Sequence, residues 1–292
     1  MSTATVHRVY NDVVAAHYDL DPQGVTRRSL DIAVRQLQEH DFFGATKEPL
    51  RVFDVGMGTG LFLGKLLELA PDQIAPFGID LAENMVANAR RKIPGLVAAV
   101  GDAAELDAHF PGQAFNCICT HFITGYVSMR VLAPRIARRL EEGGYWSVIG
   151  GTKAAYPALQ ARGNSRLLRW LSGVGSRAMD DTVLNPADLQ EVVDTMEAHG
   201  FAVSAAETFE PTLDFPDFDR FMEFAYRGGW LTPLVETIGL HRAGPVKRWL
   251  FDHLVFPLRD SHHIVIALGR KQERGQTRPL ANRGGSSAGA SS

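Results

Sequence analysis

Hydrophobic positions follow two alternating patterns between residues 50 and 149. Short apolar runs typical of buried strands occupy residues 50–55, 76–79, 96–100, 115–120 and 145–149. Between these runs, apolar residues recur every three or four positions, as in 83–92 and 127–140, which is typical of amphipathic helices. Alternating strands and helices predict right-handed βαβ units and therefore a parallel sheet.

The same patterns continue towards both ends of the chain. Apolar residues at helical spacing in 6–18 and 30–37 predict two helices before the first strand. Further strands are predicted at 201–208 and 262–268, and the segment between them is too long for a plain loop, so it should carry helices. The predicted fold class is α/β: a doubly wound, mostly parallel seven-stranded sheet with helices on both faces, N-terminal helices and a helical insertion before the last strand.

Three segments are expected on this basis. An N-terminal helical cap is predicted at 1–45, and a main α/β domain at 46–270 with its insertion at about 212–258. Residues 272–292 are polar, small and without apolar periodicity, which predicts a disordered tail.

Composition narrows the classes of protein that fit. With 45% hydrophobic and 22% charged residues, the chain is typical of a globular protein with a sizeable core. A formal net charge of −3 argues against a surface built to bind nucleic acid. We find no signal-peptide pattern at the start and no apolar stretch long enough to span a bilayer, so we expect a cytoplasmic protein without membrane contact. Cys117 and Cys119 are expected to be buried, reduced thiols rather than a metal site.

A glycine-rich loop between the first strand and its helix is the sharpest motif. It reads DVGMGTG and contains Gly56, Gly58 and Gly60, a GxGxG pattern, whereas a nicotinamide site has GxGxxG and needs its third glycine at Leu61. Asp54 precedes the first glycine by two residues. An anion there disfavours a pyrophosphate and favours a ligand that carries an ammonium group.

Two more acids end the next two predicted strands. Asp80 is suited to accept hydrogen bonds from ribose hydroxyls, and Asp102 from an adenine amino group. Each acid alone is more often a turn or N-cap residue. Three acids beside a glycine loop, at the edge where open α/β sheets bind ligands, indicate a binding site.

DVGMGTG, GIDLAENM and GDAAEL resemble, in order and spacing, the first three motifs of class I S-adenosylmethionine-dependent methyltransferases. The resemblance implies a Rossmann-like methyltransferase domain that binds S-adenosyl-L-methionine. Asp54 and the glycine loop would then hold the methionine part, and Asp80 the ribose. The other cofactor contacts that it implies are Leu81, Met85, Asp102, Ala103, Thr120 and, over the cofactor, Tyr18. Tyr10 is an alternative to Tyr18 in that role, and amphipathic packing alone explains both tyrosines equally well.

Methyl transfer from a sulfonium requires the protein mainly to position the reactants. A sulfonium methyl is already activated, so the main task is to align a nucleophile in a dry site. His121, just after the fourth strand, is the best candidate for a general base, and its alternative role is that of a hydrogen-bonded structural histidine. Of His262 and His263, at a strand start, one is expected to pack and one to be exposed. No carboxylate and Asn cluster follows the fourth strand, so no metal is expected.

The variable regions indicate the acceptor. The fourth strand is followed by Thr-His-Phe-Ile and not by the Asp/Asn-Pro-Pro-aromatic sequence of nucleic-acid amino-methyltransferases, so no nucleic-acid substrate is expected. The insertion is rich in aromatic residues, which either form a helix packed on the core or add apolar surface for a ligand. We therefore expect a small apolar or aromatic metabolite, such as a natural-product intermediate. The candidate substrate-binding residues are Phe122, Tyr126, Phe221, Tyr226 and Trp230.

Three other functions compete with this interpretation. They are a nicotinamide-dependent oxidoreductase, a catalytically inactive accessory protein that binds the cofactor, and a C-methyltransferase or methyl-triggered cyclase with an aromatic cage. The sequence predicts neither the acceptor atom nor the oligomeric state.

Overall fold

A computed structural model describes residues 3–44, 48–163 and 184–273. Its strands are β1 (Leu50–Val55), β2 (Ile74–Asp80), β3 (Val97–Val100), β4 (Phe115–His121), β5 (Leu140–Gly151), β6 (Phe201–Phe209), β7 (Thr212–Phe215), β8 (Leu258–Ser261) and β9 (Ile264–Lys271). Seven of them form one sheet in the order β3-β2-β1-β4-β5-β9-β6. Strands β1 to β5 run parallel, and β9 runs antiparallel to both of its neighbours, β5 and β6.

Helices cover both faces of this sheet. They are α1 (Thr3–Asp12), α2 (Val25–Glu39), α3 (Leu61–Leu69), α4 (Glu83–Lys92), α5 (Met129–Arg139), α6 (Pro157–Gly163), α7 (Leu189–Ala198), α8 (Phe218–Met222), α9 (Thr232–Thr237) and α10 (Pro245–Leu254). Residues of α2 and α3 share one buried cluster with Cys117 and Cys119 of β4. Residues of α5 and α7 share another with Ile118, the residue between them. Because side chains alternate along a strand, the two clusters lie on opposite faces.

The predicted fold class is confirmed: the sheet has seven mostly parallel strands, two helices precede it, and a helical insertion precedes its last strand. The sequence did not predict the short ribbon in which β7 pairs with β8 at the two ends of the insertion. Four-residue strands are too short for a clear alternation of polar and apolar positions. None of the helices in the described ranges is both long and apolar enough to cross a bilayer.

The two N-terminal helices have different surroundings. Helix α2 buries Leu30, Ala33 and Leu37 and contacts β5 and β9, so it is part of a helical layer of the sheet. Helix α1 instead contacts α4 and α9. The expected tail at 272–292 lies, beyond Glu273, outside the described residues, and the segment boundaries remain predictions.

Gly60 caps the N-terminus of α3 and packs closely against α4. Its φ is +82°, in the left-handed region. A Cβ built there lies 2.9 Å from Cγ1 of Ile93 and 3.4 Å from Cβ of Ala89. The glycine is therefore needed both for the backbone turn and for the contact between the two helices.

We expect Gly60→Ala to destabilise the protein more than Gly112→Ala. Gly112 also has a positive φ, +76°, but a Cβ there meets nothing within 4 Å. The control variant therefore bears only the backbone cost, and Gly60→Ala should lose about 1–3 kcal/mol more because of the crowding against Ile93. Urea unfolding of both variants measures the difference. Equal losses would mean that Ile93 moves aside without cost.

Candidate active site

One cavity runs along the carboxyl ends of the parallel strands. Its lining follows the order of the sheet: Asp102 after β3, Asp80 at the end of β2, Gly56 after β1, Phe122 after β4 and Thr152 after β5. Neighbouring strands lie about 4.8 Å apart, so these five strand ends span roughly 19 Å. The cavity therefore follows the sheet edge over a length that suits an extended ligand.

The glycine loop is tied to the end of β2 through Asp80. The backbone N–H of Gly58 donates to one carboxylate oxygen and that of Ala82 to the other, each at 2.9 Å. Gly56 and Gly58 have φ values of +75° and +55°, which a residue with a side chain rarely adopts. These turns let the loop bring its backbone to the carboxylate, which itself faces the cavity.

Asp54 is a buried acid behind the cavity lining. The residue is 2% exposed, and its Oδ1 has no hydrogen-bond partner among the described residues. Burial, and then the charge of Asp80, raises the pKa of Asp54 to about 7. Burial likewise raises the pKa of Asp80 to about 6, against the lowering effect of its backbone hydrogen bonds. A cation bound beside Asp54 would stabilise its charged form, which fits the ammonium group expected from the sequence.

Tyr18 and Met85 complete the wall around these acids. The ring of Tyr18 lies 3.5 Å from the position that a Cβ of Gly58 would take, so the tyrosine covers the glycine loop. Met85 on α4 is 1% exposed and lines the cavity. Leu81 and Ala103 also line it. These residues all surround the end of the cavity over β1 to β3.

Asp102 is both an N-cap residue and a lining residue of the cavity. Its Oδ1 accepts a hydrogen bond of 2.8 Å from the backbone N–H of Ala104, so it caps the helical turn that follows. It also lines the cavity. The capping role therefore leaves part of the carboxylate available to a ligand.

A tyrosine pair joins three elements at the cavity. The hydroxyls of Tyr10 on α1 and Tyr126 after β4 lie 2.9 Å apart, and Tyr10 donates to the carbonyl of Gly229 in the insertion at 3.1 Å. Since the proton of Tyr10 is used for Gly229, the hydroxyl of Tyr126 donates to Tyr10. Both tyrosines line the cavity, so this bridge fixes α1 and the insertion around it.

The surroundings of His121 differ from those of a general base. Its Nε2 shares a hydrogen bond of 2.9 Å with the hydroxyl of Ser147, and its ring packs edge-on against Phe62 at 4.4 Å between centroids. Nδ1 is buried and has no partner in the part of the chain that the structure describes. Burial lowers the pKa of His121 to about 3, so the ring is neutral at pH 7 and a weak proton acceptor. The geometry favours the structural alternative, although His121 does line the cavity.

Thr120 and Gly60, like Asp54, were expected to touch the cofactor, but none of the three is among the residues that line the cavity. The hydroxyl of Thr120 accepts a hydrogen bond of 2.9 Å from Nε1 of Trp146 in the interior. Side chains alternate along β4, so Thr120 faces away from the side that His121 takes. The position of Gly60 is explained by its contact with Ile93.

Phe221 and Tyr226 were expected to bind substrate, and they too lie away from the cavity lining. Phe221 is 2% exposed and packs against Phe215. Tyr226 donates to Glu236 at 2.7 Å. For these two residues, the surroundings favour the simpler interpretation of the aromatic insertion, packing on the core.

The other predicted substrate residues line the far end of the cavity with residues that the sequence did not single out. Phe122 and Trp230 meet there edge-to-face, with ring centroids 4.9 Å apart. Tyr156, after β5, and Thr124, after β4, were missed because no motif marks them. His262 also lines this end and is buried, whereas His263 pairs with Glu210 at the surface, as the strand-start pattern suggested.

In the described ranges, no group of three or more His, Cys, Asp or Glu side chains is arranged to hold a metal ion. Cys117 and Cys119 are both buried and free, with their sulfur atoms 3.7 Å apart.

Residues 52–144 match a family model described as a methyltransferase domain. This region is a class I methyltransferase domain. The match covers the glycine loop and the acids after β2 and β3, and it confirms the family that the three motifs indicated.

Known proteins resemble the methyltransferase domain in sequence and in fold. Trans-aconitate 2-methyltransferase of Methylobacterium nodulans is 34% identical over 101 residues, which is 34% of this chain and only 38% of that protein. The YcgJ protein of Bacillus subtilis aligns with a TM-score of 0.51 and 19% identity over 82% of this chain and 99% of its own. A putative methyltransferase of Bacillus halodurans aligns with a TM-score of 0.54 and 16% identity over the same shares. The two structures show a common fold.

We expect Asp54→Asn to stabilise the ligand-free methyltransferase domain at pH 8. The pKa of Asp54 is raised above its ordinary value of 3.8 to about 7, so its charge destabilises the folded state increasingly as the pH rises from about 4 to about 7. The uncharged amide avoids this cost, and the gain at pH 8 should be about 1–3 kcal/mol. At pH 4 the two proteins should be equally stable.

Chemical unfolding at pH 4 and pH 8 measures this gain, with Asp72→Asn, at an exposed position, as the control that should change nothing. A loss of stability at pH 8 would mean that the carboxylate of Asp54 is held by hydrogen bonds in the folded protein.

Proposed function

We propose that this chain transfers the methyl group of S-adenosyl-L-methionine to a small apolar or aromatic metabolite. The observation that supports this best is the buried carboxylate of Asp54, whose Oδ1 has no hydrogen-bond partner among the described residues, beside a GxGxG loop in a methyltransferase domain. A dinucleotide pyrophosphate gains nothing from a buried acid at that point, whereas an amino-acid ammonium group does.

The residues around the cavity fit the parts of this cofactor in the order of the strands. Asp54 would pair with the ammonium group, and the carboxylate of Asp80 would accept hydrogen bonds from the ribose hydroxyls. Met85 and Asp102 are available to the adenine ring, and Tyr18 covers the glycine loop. The sulfonium of the bound cofactor supplies a methyl group that is already activated.

The protein's own part in the reaction is then to orient the acceptor and exclude water. The bridge between Tyr10 and Tyr126 holds α1 and the insertion together over the cavity. Phe122 and Trp230 provide an aromatic surface beyond β4, next to the expected methyl position. His121 contributes its packing and its hydrogen bond to Ser147 and acts as a structural residue.

The charge of the cavity favours an acceptor unlike trans-aconitate, the molecule named for the relative from Methylobacterium nodulans. A tricarboxylate needs several cations, and among the described lining residues Lys153 is the one Lys or Arg, in an exposed position. Phe122, Trp230, Leu231 and Leu234 instead give this end apolar walls. The absence of a nucleic-acid partner and the cytoplasmic location remain predictions from the sequence.

We expect S-adenosylhomocysteine to bind in the micromolar range, about −8 kcal/mol, and NADH not to bind. Asp80→Ala should weaken S-adenosylhomocysteine binding by roughly 10- to 100-fold, because it removes the ribose acceptor and frees the N–H groups of Gly58 and Ala82. Calorimetry measures both ligands, circular dichroism checks folding, and Asp72→Ala is the surface control. Binding of NADH alone would support the oxidoreductase instead. Binding of S-adenosylhomocysteine without turnover of any acceptor would support the accessory protein.

Once an acceptor is known, we expect His121→Asn to keep most of the methyl-transfer rate. Burial already keeps the ring neutral, with a pKa of about 3. Protonation of His121 should therefore cause no loss of rate as the pH falls from 8 to 6. Steady-state rates over that range measure it. His121 would instead be a general base if the variant lost a hundredfold in kcat at unchanged cofactor affinity and also lost the pH dependence of the parent.

A further inference from the structure

Three buried polar atoms without partners belong to side chains that line the acceptor end of the cavity. They are Oη of Tyr156, Nδ1 of His262 and Oγ1 of Thr124, and none has a hydrogen-bond partner among residues 3–44, 48–163 and 184–273. The three residues are 5%, 4% and 1% exposed, and all three line the cavity. Buried polar groups in folded proteins are nearly always hydrogen-bonded, so these three exceptions, in the same lining as the unpartnered Nδ1 of His121, require an explanation.

Aromatic contacts hold these side chains in position. The ring of Tyr156 lies 4.5 Å from that of His262, and Trp230 packs edge-on against His262 at 5.1 Å. On its other side, Trp230 stacks on Phe224 with the planes 4° apart. The polar atoms are therefore fixed by packing and keep their hydrogen-bonding capacity.

The backbone at Tyr156 supports the same interpretation. Its φ is +59°, and Phe122, another lining residue, has the same value, whereas bulky side chains rarely adopt such angles. The N–H of Tyr156 donates to Ser261 at 3.0 Å, and the carboxylate of Asp260 accepts from the first turn of α6. The surrounding structure thus holds a strained residue in position, which is typical of ligand-binding sites.

We propose that Tyr156, His262 and Thr124 bind the oxygen substituents of an oxygenated aromatic acceptor, with its ring against Trp230 and Phe122. This rests on the proposed methyl-transfer function and adds the substrate class to it. The sequence pointed to none of the three side chains as a ligand contact.

The chemistry of the three groups selects neutral oxygens over carboxylates. Burial raises the pKa of Tyr156 well above its ordinary value, so its hydroxyl stays protonated and can donate. Burial lowers the pKa of His262 to about 3, so its ring is uncharged. Thr124 is also neutral. The three groups therefore offer hydrogen bonds but no cation to offset the charge of a carboxylate, which suits a phenol or a ring carbonyl.

The experiment compares Tyr156→Phe with Tyr145→Phe. Both remove one tyrosine hydroxyl, but that of Tyr145 donates to the carbonyl of His40 at 2.8 Å, and Tyr145 does not line the cavity. Equilibrium dialysis measures the binding of 2-naphthol, naphthalene and 2-naphthoate to the protein loaded with S-adenosylhomocysteine. Chemical unfolding measures the stability of each ligand-free variant.

We expect the parent to bind 2-naphthol at least fivefold more tightly than naphthalene or 2-naphthoate. Tyr156→Phe should reduce the affinity for 2-naphthol about five- to tenfold, consistent with the loss of one hydrogen bond, and change that for naphthalene less than twofold. It should not lower the stability of the ligand-free protein, because it removes an unsatisfied hydroxyl. Tyr145→Phe should lower stability and leave all three affinities unchanged.

Loss of stability in Tyr156→Phe with unchanged affinity for 2-naphthol would overturn the proposal, since the hydroxyl would then have a structural partner. So would failure of the parent to prefer 2-naphthol. The affinity for S-adenosylhomocysteine is measured separately, and failure of that binding alone would refute the methyl-transfer function.

Discussion

The structure of the site depends on the burial of two carboxylates, those of Asp54 and Asp80, at the ends of the adjacent strands β1 and β2. Asp80 is stabilised by the N–H groups of Gly58 and Ala82, and this contact requires the left-handed turns of the glycine loop. Asp54 keeps an oxygen without a partner in the described chain. The ligand-free fold bears this cost, and a ligand with a cationic group offsets it.

The order of the strands then sets the chemical character of each part of the cavity. Asp80 ends β2, Asp102 follows β3, and the glycine loop follows β1, whereas aromatic residues follow β4 and come from the insertion. The cavity therefore changes from polar and anionic to aromatic along the sheet edge. The bridge from Tyr10 to Tyr126 and Gly229 fixes α1 and the insertion over the region where the two ends meet.

The sequence predicted those features that depend on neighbouring residues. Apolar runs defined the strands, and the motifs placed the glycine loop, Asp54 and Asp80 together at the ends of adjacent strands. The ribbon of β7 and β8 and the contact of Tyr156 with His262 join distant segments, which no local pattern records. Thr120 was misplaced although alternation along β4 separates it from His121, and burial of the His121 ring became visible only with Phe62 packed against it.

A crystal structure of the complex with S-adenosylhomocysteine tests the central claim most directly. The proposal predicts the amino group of the ligand within hydrogen-bonding distance of Asp54, the ribose hydroxyls on Asp80 and the adenine near Met85. It also predicts that the sulfur points towards Phe122 and the aromatic end of the cavity. A ligand bound in another orientation, with Asp54 still without a partner, would contradict it.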